Sequence, residues 1–165
     1  MYNILYLGNQ QENSKVVSNL REVLYPAKLY FYPNQPPAIT YLKRLLKGYK
    51  GGIDLVIGAS SCTKLALEVA NEIKTPCVLL DPYIDYNVFK SEDDEESNPE
   101  YALFAIFTNT KARKDIWSTP SNKVKKYIKP SNIAYARTKT QMIQLVTKVY
   151  ENYLVKHLPE EDAFK

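Results

Sequence analysis

Histidine is almost missing from this chain: His157 is the single one among 165 residues. Cysteine is nearly as scarce, with Cys62 and Cys77 alone, and glycine occurs only 5 times. Two cysteines make neither a disulfide framework nor a metal-ligand set, so a stapled secreted domain and a zinc module are both excluded. A reducing, cytoplasmic setting is therefore expected. No stretch approaches the ~18 consecutive apolar residues of a membrane span. The opening Met1-Tyr2-Asn3-Ile4-Leu5-Tyr6-Leu7 has no basic region, and its apolar run is too short for a signal peptide. Neither an internal repeat nor an interdomain linker is visible, so residues 1–165 are expected to form one domain. The composition itself is that of a globular protein, 45% hydrophobic and 24% charged, at a length that buries a core without staples. A net charge of +4 and a pI near 8.9 permit an acidic partner without demanding one.

The strongest signal is an alternation of two periodicities. Ile4-Leu5-Tyr6-Leu7 is a short apolar run ending at Gly8-Asn9, a strand followed by a turn. Asn13 or Ser14 is placed to cap a helix through Val16, Val17, Leu20, Val23 and Leu24, closed by Pro26. Residues 28–32 read as a second strand. Pro36-Pro37 opens a helix with Ile39, Leu42, Leu45 and Leu46 on one face. Residues 53–57 form a buried-type strand, followed by Gly58-Ala59-Ser60-Ser61-Cys62 and a helix through Leu65, Leu67, Val69 and Ile73. Residues 77–80, 102–107 and 133–136 read as three more strands, and residues 142 to about 157 as a closing amphipathic helix.

Strands apolar on both faces and separated by helices imply an α/β fold: a three-layer, doubly wound parallel sheet of about six strands. In such a sheet the ligand site lies at the carboxyl ends of the strands, near the point where strand order reverses. The segments to watch are thus Gly8-Asn9-Gln10, residues 58–62, Asp81-Pro82, residues 108–111 and residues 137–140. Residues 91–99 are an acidic stretch whose charge and lack of apolar residues predict a solvated loop.

Asp54-Leu55-Val56-Ile57-Gly58-Ala59-Ser60-Ser61-Cys62, leading into a helix, resembles the nucleophile elbow of the α/β-hydrolases. There a serine sits in a strained strand-to-helix turn, and the residues two before and two after it must be small. Gly58 meets that demand, and Cys62 replaces the usual second glycine. The wider order is similar to small bacterial esterases of the YqiA type, whose third to eighth strands would be the ones here. That resemblance implies the order 2-1-3-4-5-6, and it puts residues 90–100 in the position of a lid.

The same resemblance implies a site. Ser60 would be the nucleophile, and an oxyanion hole would use the backbone N–H of Ser61 and one from the Gly8-Asn9-Gln10 turn, Asn9 above all. An acid should follow the fifth strand, where Asn109 stands and Asp115 is several residues late; Asp81 and Asp85, after the fourth, are the alternative location. A histidine base should follow the sixth strand, where the chain reads Arg137-Thr138-Lys139-Thr140. His157 ends the closing helix, about 25 Å along its axis from the site, and is no substitute. Lys139 is the candidate base, provided it is desolvated enough to lose its proton near neutral pH. Cys62, in the first turn of the elbow helix, reads as a packing residue.

Tyr83, Tyr86 and Phe89 precede the acidic stretch and suit a ligand or protein contact. Lys111, Arg113, Lys114, Lys123, Lys125, Lys126 and Lys129 flank Trp117, yet no phosphate-binding glycine loop or nucleic-acid module accompanies them, so they read as a solvated face. The resulting expectation is a degenerate hydrolase-fold protein that binds a small ligand or a protein partner, without metal, cofactor, nucleic acid or membrane, and with pairing through a sheet edge as a route to a homo-oligomer. The alternative is a small serine esterase in which Ser60 works with an unconventional base.

Overall fold

The computed structural model describes residues 1–33, 46–47, 52–83, 100–111, 113–114 and 127–165. They form one six-stranded sheet, entirely parallel, from β1 (Asn3–Gly8), β2 (Lys28–Pro33), β3 (Leu55–Ala59), β4 (Cys77–Leu80), β5 (Leu103–Phe107) and β6 (Ile133–Tyr135). The spatial order is β2-β1-β3-β4-β5-β6, the order implied by the resemblance. The helices are α1 (Gln10–Leu24), α2 (Thr63–Ile73) and α3 (Lys139–Val149), and they cover both faces.

Strand alternation divides the interior into two cores. Ile4, Tyr6, Leu55, Ile57, Phe104 and Ile106 face α1 and α3, whose Val16, Val17, Leu20, Ile143, Val146 and Val149 cover them. Leu5, Leu7, Val56, Leu79, Leu103 and Ala105 face α2 through Leu65, Ala66, Val69 and Ala70. Because β3 and β4 are covered on both sides, all their residues are buried and they read in sequence as continuous apolar runs.

Several boundaries differ from the sequence expectation, each for a local reason. β3 runs two residues further, because Gly58 and Ala59 still pair with Leu79 and Leu80 of β4. The cap of α1 is Asn9 rather than Asn13 or Ser14: the Asn9 side chain accepts from the N–H groups of Gln11 and Glu12, at 2.9 and 3.3 Å. α3 begins at Lys139 rather than Met142, since the Thr138 hydroxyl caps it by accepting from Gln141 N–H at 3.1 Å. Its last part, Tyr150–Val155, widens into a π-helix. The helix expected after Pro36-Pro37 lies outside the described residues except for Leu46 and Lys47, which are helical. Among the described residues no helix is long and apolar enough to cross a membrane.

Candidate functional site

Strand order reverses at β1, with β2 on one side and β3 on the other, and this is where an open parallel sheet offers a crevice. The chain leaves β3 through a single 3-10 turn, Ser60–Cys62, before α2 begins. Ser60 adopts φ 47°, in the left-handed region that a non-glycine residue enters only at a cost of about 1–2 kcal/mol. Three neighbours enforce that turn. Gly58 lies against α2 so closely that an added Cβ would stand 2.3 Å from the Ala66 Cβ. Cys62 is buried, filling the second small-residue position. Thr63, fully buried, donates its hydroxyl to the Ser60 carbonyl at 2.6 Å and accepts from Tyr83 N–H at 2.9 Å. The elbow is thereby tied to the exit of the next strand.

That exit is built the same way. Asp81 follows β4 with φ 43°. Its Oδ1 accepts from the backbone N–H groups of Thr108 at 2.6 Å and Asn109 at 2.7 Å, and its Oδ2 accepts from the Thr108 hydroxyl. Asn109, at the position where an acid was expected, accepts instead from Lys111 N–H at 2.8 Å and so caps the residues that follow β5.

Ser60, Asp81 and Lys139 line a single cavity of about 210 Å³, together with Glu12, Asn13 and Thr108. Ligand clefts for drug-sized molecules run to roughly 300–1,000 Å³, so this one admits a small group rather than a large substrate. The sheet has therefore gathered three residues that lie as much as 79 positions apart (139 minus 60). Lys139 is exposed in the first turn of α3, and among the described residues no hydrogen bond joins it to Ser60. Neither Asn9 nor Ser61 is among the residues lining the cavity; the Asn9 side chain caps α1, and Ser61 is exposed. Tyr83 is exposed and also outside the lining, while Tyr86, Asp85, Phe89, Asp115 and residues 90–99 lie outside the described residues. His157 is exposed beyond the far end of the closing helix. Among the described residues no three His, Cys, Asp or Glu side chains cluster to hold a metal ion.

The sequence reading missed the first turn of α1. Asn13 is buried within the helix, accepts from the Tyr6 hydroxyl at 2.6 Å and donates to the Asn9 carbonyl at 2.8 Å. Burial drives the Tyr6 phenol well above its ordinary range, with the Cys62 thiol adding to the shift, so Tyr6 stays neutral and keeps donating. Gly8 is required beside this pair: a Cβ there would lie 2.9 Å from both the Asn13 amide nitrogen and the Tyr6 ring. The only sequence trace of this arrangement was the asparagine at a position first read as a cap.

Burial also raises the Cys62 thiol, although its bond with Ser61 works in the opposite direction. Cys77, wholly buried in β4, is raised further by desolvation alone. A thiol raised in this way is protonated at neutral pH and is a poor nucleophile. An aromatic disulfide reagent at pH 7 is therefore expected to find no reactive thiol in the native protein and both after unfolding. Rapid modification of native Cys62 would make it, and not Ser60, the reactive group of the elbow.

No family of known proteins, no curated protein and no solved structure matches this chain.

Proposed function

We propose that this chain is a degenerate α/β-hydrolase-like protein whose carboxyl-edge cavity binds a small ligand without hydrolysing it. The observation that carries the reading is the state of the groups around Ser60. Asp81 shares the cavity, but three donors from residues 108 and 109 occupy its two carboxylate oxygens. It acts as a strut between β4 and β5 rather than as the orienting acid of a base. Lys139 shares the cavity too, but it stands exposed in the first turn of α3, and among the described residues no hydrogen bond joins it to Ser60. General acid–base assistance contributes typically 10²–10⁴-fold to such chemistry, and a serine without it is a weak nucleophile. Two buried free thiols suit a reducing, cytoplasmic setting.

One feature favours the opposing reading, an active serine hydrolase. Ser60 holds a left-handed backbone, and strain of this kind persists where the surrounding structure over-determines it, often at functional sites. With Lys139 in the same cavity, a Ser60–Lys139 pair is the form that activity would take. Labelling with a fluorophosphonate probe decides between the two. The proposed reading expects no labelling of folded protein beyond the level of Ser60→Ala. Labelling that disappears in Ser60→Ala would overturn it and make Lys139→Met the next variant to test.

A further inference from the structure

A second and larger cavity, of about 410 Å³, opens at the ends of β5 and β6 and shares Thr108 with the Ser60 cavity. It is lined by two arginines, Arg113 and Arg137, together with Asn109, Thr110 and Tyr135. Among the described residues neither arginine has a carboxylate partner, and no carboxylate lines the cavity. Arg113 is held over the Tyr135 ring, 5.1 Å from its centroid, and that ring in turn stacks on Phe107 at 6.1 Å. The guanidinium is thus positioned before any ligand arrives, which lowers the ordering cost of binding. Asn109, which also lines the cleft, uses its carbonyl oxygen to cap Lys111, and this leaves its amide N–H₂ group as a donor. The Thr110 hydroxyl adds another polar group to the lining.

We infer that this cleft binds a small phosphate monoester. Two arginines with no carboxylate partner among the described residues call for a ligand of about two negative charges and more than two acceptor oxygens. A phosphate monoester near neutral pH carries ≈ −1.5 to −2 charges on three strongly accepting oxygens. A carboxylate offers one charge and two oxygens, enough for one fork, and would leave the second arginine unpaired. The organic part of the ester would lie toward the half-exposed Tyr135 or the mouth of the Ser60 cavity. The inference rests on the reading of the carboxyl edge as a ligand site, but it uses different residues from the elbow. Fluorophosphonate labelling would overturn the non-catalytic reading and leave the phosphate site standing; failure here would do the reverse.

The test is a titration of the full chain with phenyl phosphate, followed by calorimetry and by the arginine Nε–H resonances. Benzoate serves as the carboxylate control. Saturable binding is expected, with shifts at Arg113 and Arg137. Arg113→Gln and Arg137→Gln are each expected to weaken it about tenfold or more. Lys148→Gln, which removes an exposed charge from the last turn of α3, should change affinity less than about twofold. Inorganic phosphate should compete, as should any ester that presents the same group. No saturable binding, benzoate binding as tightly as phenyl phosphate, or equal weakening by Lys148→Gln would each overturn the proposal. The resonance shifts in the unmodified chain keep the test decisive even if a variant folds poorly.

Discussion

Gly58→Ala is expected to destabilise the protein by about 3 kcal/mol, the upper end of what overpacking a core costs. The new methyl would stand 2.3 Å from the Ala66 Cβ, and neither carbon sits on a flexible side chain that could swing away. α2 would have to lift from β3, where its contacts with Leu79 and the rest of the second core are made. For a chain of this size, 3 kcal/mol corresponds to a fall in Tm of roughly 6–12 °C. The assignment of cause is testable by compensation. Ala66→Gly alone should cost about 1 kcal/mol through helix propensity. Combined with Gly58→Ala it should restore part of the loss, giving a coupling energy of about 1–2 kcal/mol in a thermal-unfolding cycle. Strict additivity would mean that the close approach of β3 and α2 does not set this residue. The elbow would then owe its shape to the Thr63 clamp alone.

Asp81→Ala carries the second large expectation, a loss of about 2–4 kcal/mol. The substitution strands the N–H groups of Thr108 and Asn109 and the Thr108 hydroxyl, all of which donate to the carboxylate. Hydrogen bonds to a charged acceptor are worth roughly 1.5–3 kcal/mol each, but the site is only part-buried and water replaces some of that. The φ of 43° adds a further contribution, since alanine tolerates the left-handed region less well than aspartate does. Asp81→Asn keeps one acceptor oxygen for the two backbone donors and the same tolerance of that backbone, so about 1 kcal/mol is expected. Native-state hydrogen exchange separates the mechanism from general destabilisation. In Asp81→Ala the Thr108 and Asn109 amides should lose protection well before the amides of β3. Uniform loss across the sheet would show that Asp81 is not a local strut between β4 and β5.

These two residues also illustrate what was legible in the sequence. Gly58 could be singled out because its demand is local: a small residue two positions before a serine, between an apolar strand and a helix, follows from chain geometry alone. Asp81 could be seen to follow a strand, and strand exits are where sites lie in parallel sheets. That its oxygens are taken by residues 27 and 28 positions later (108 minus 81 and 109 minus 81) depends on β4 and β5 being neighbours, which no local pattern states. Asn13 shows the opposite failure. Its type and place suggested a helix cap, yet Asn9 is the cap and Asn13 turns inward to meet Tyr6. Either asparagine satisfies local capping chemistry; only the buried phenol, needing an acceptor, distinguishes them.

By itself, then, the sequence determined the layers and the strands, because period-two and period-3.6 burial are written into the order of apolar residues. It also pointed to a tight turn between β3 and α2, which the structure bears out with Ser60 at φ 47° after the closely packed Gly58. The absence of a histidine near Ser60 was equally plain, since His157 is the only one in the chain. Only the tertiary structure decided which polar groups meet. It brought Ser60, Asp81 and Lys139 to one cavity, spent the carboxylate on β5, and left Arg113 and Arg137 facing a second cleft. Those outcomes depend on distances of a few ångströms between strand exits far apart in the chain. Hydrogen bonds and charge pairing are short-ranged and directional, so they are settled by the packed sheet rather than by the residues taken in order.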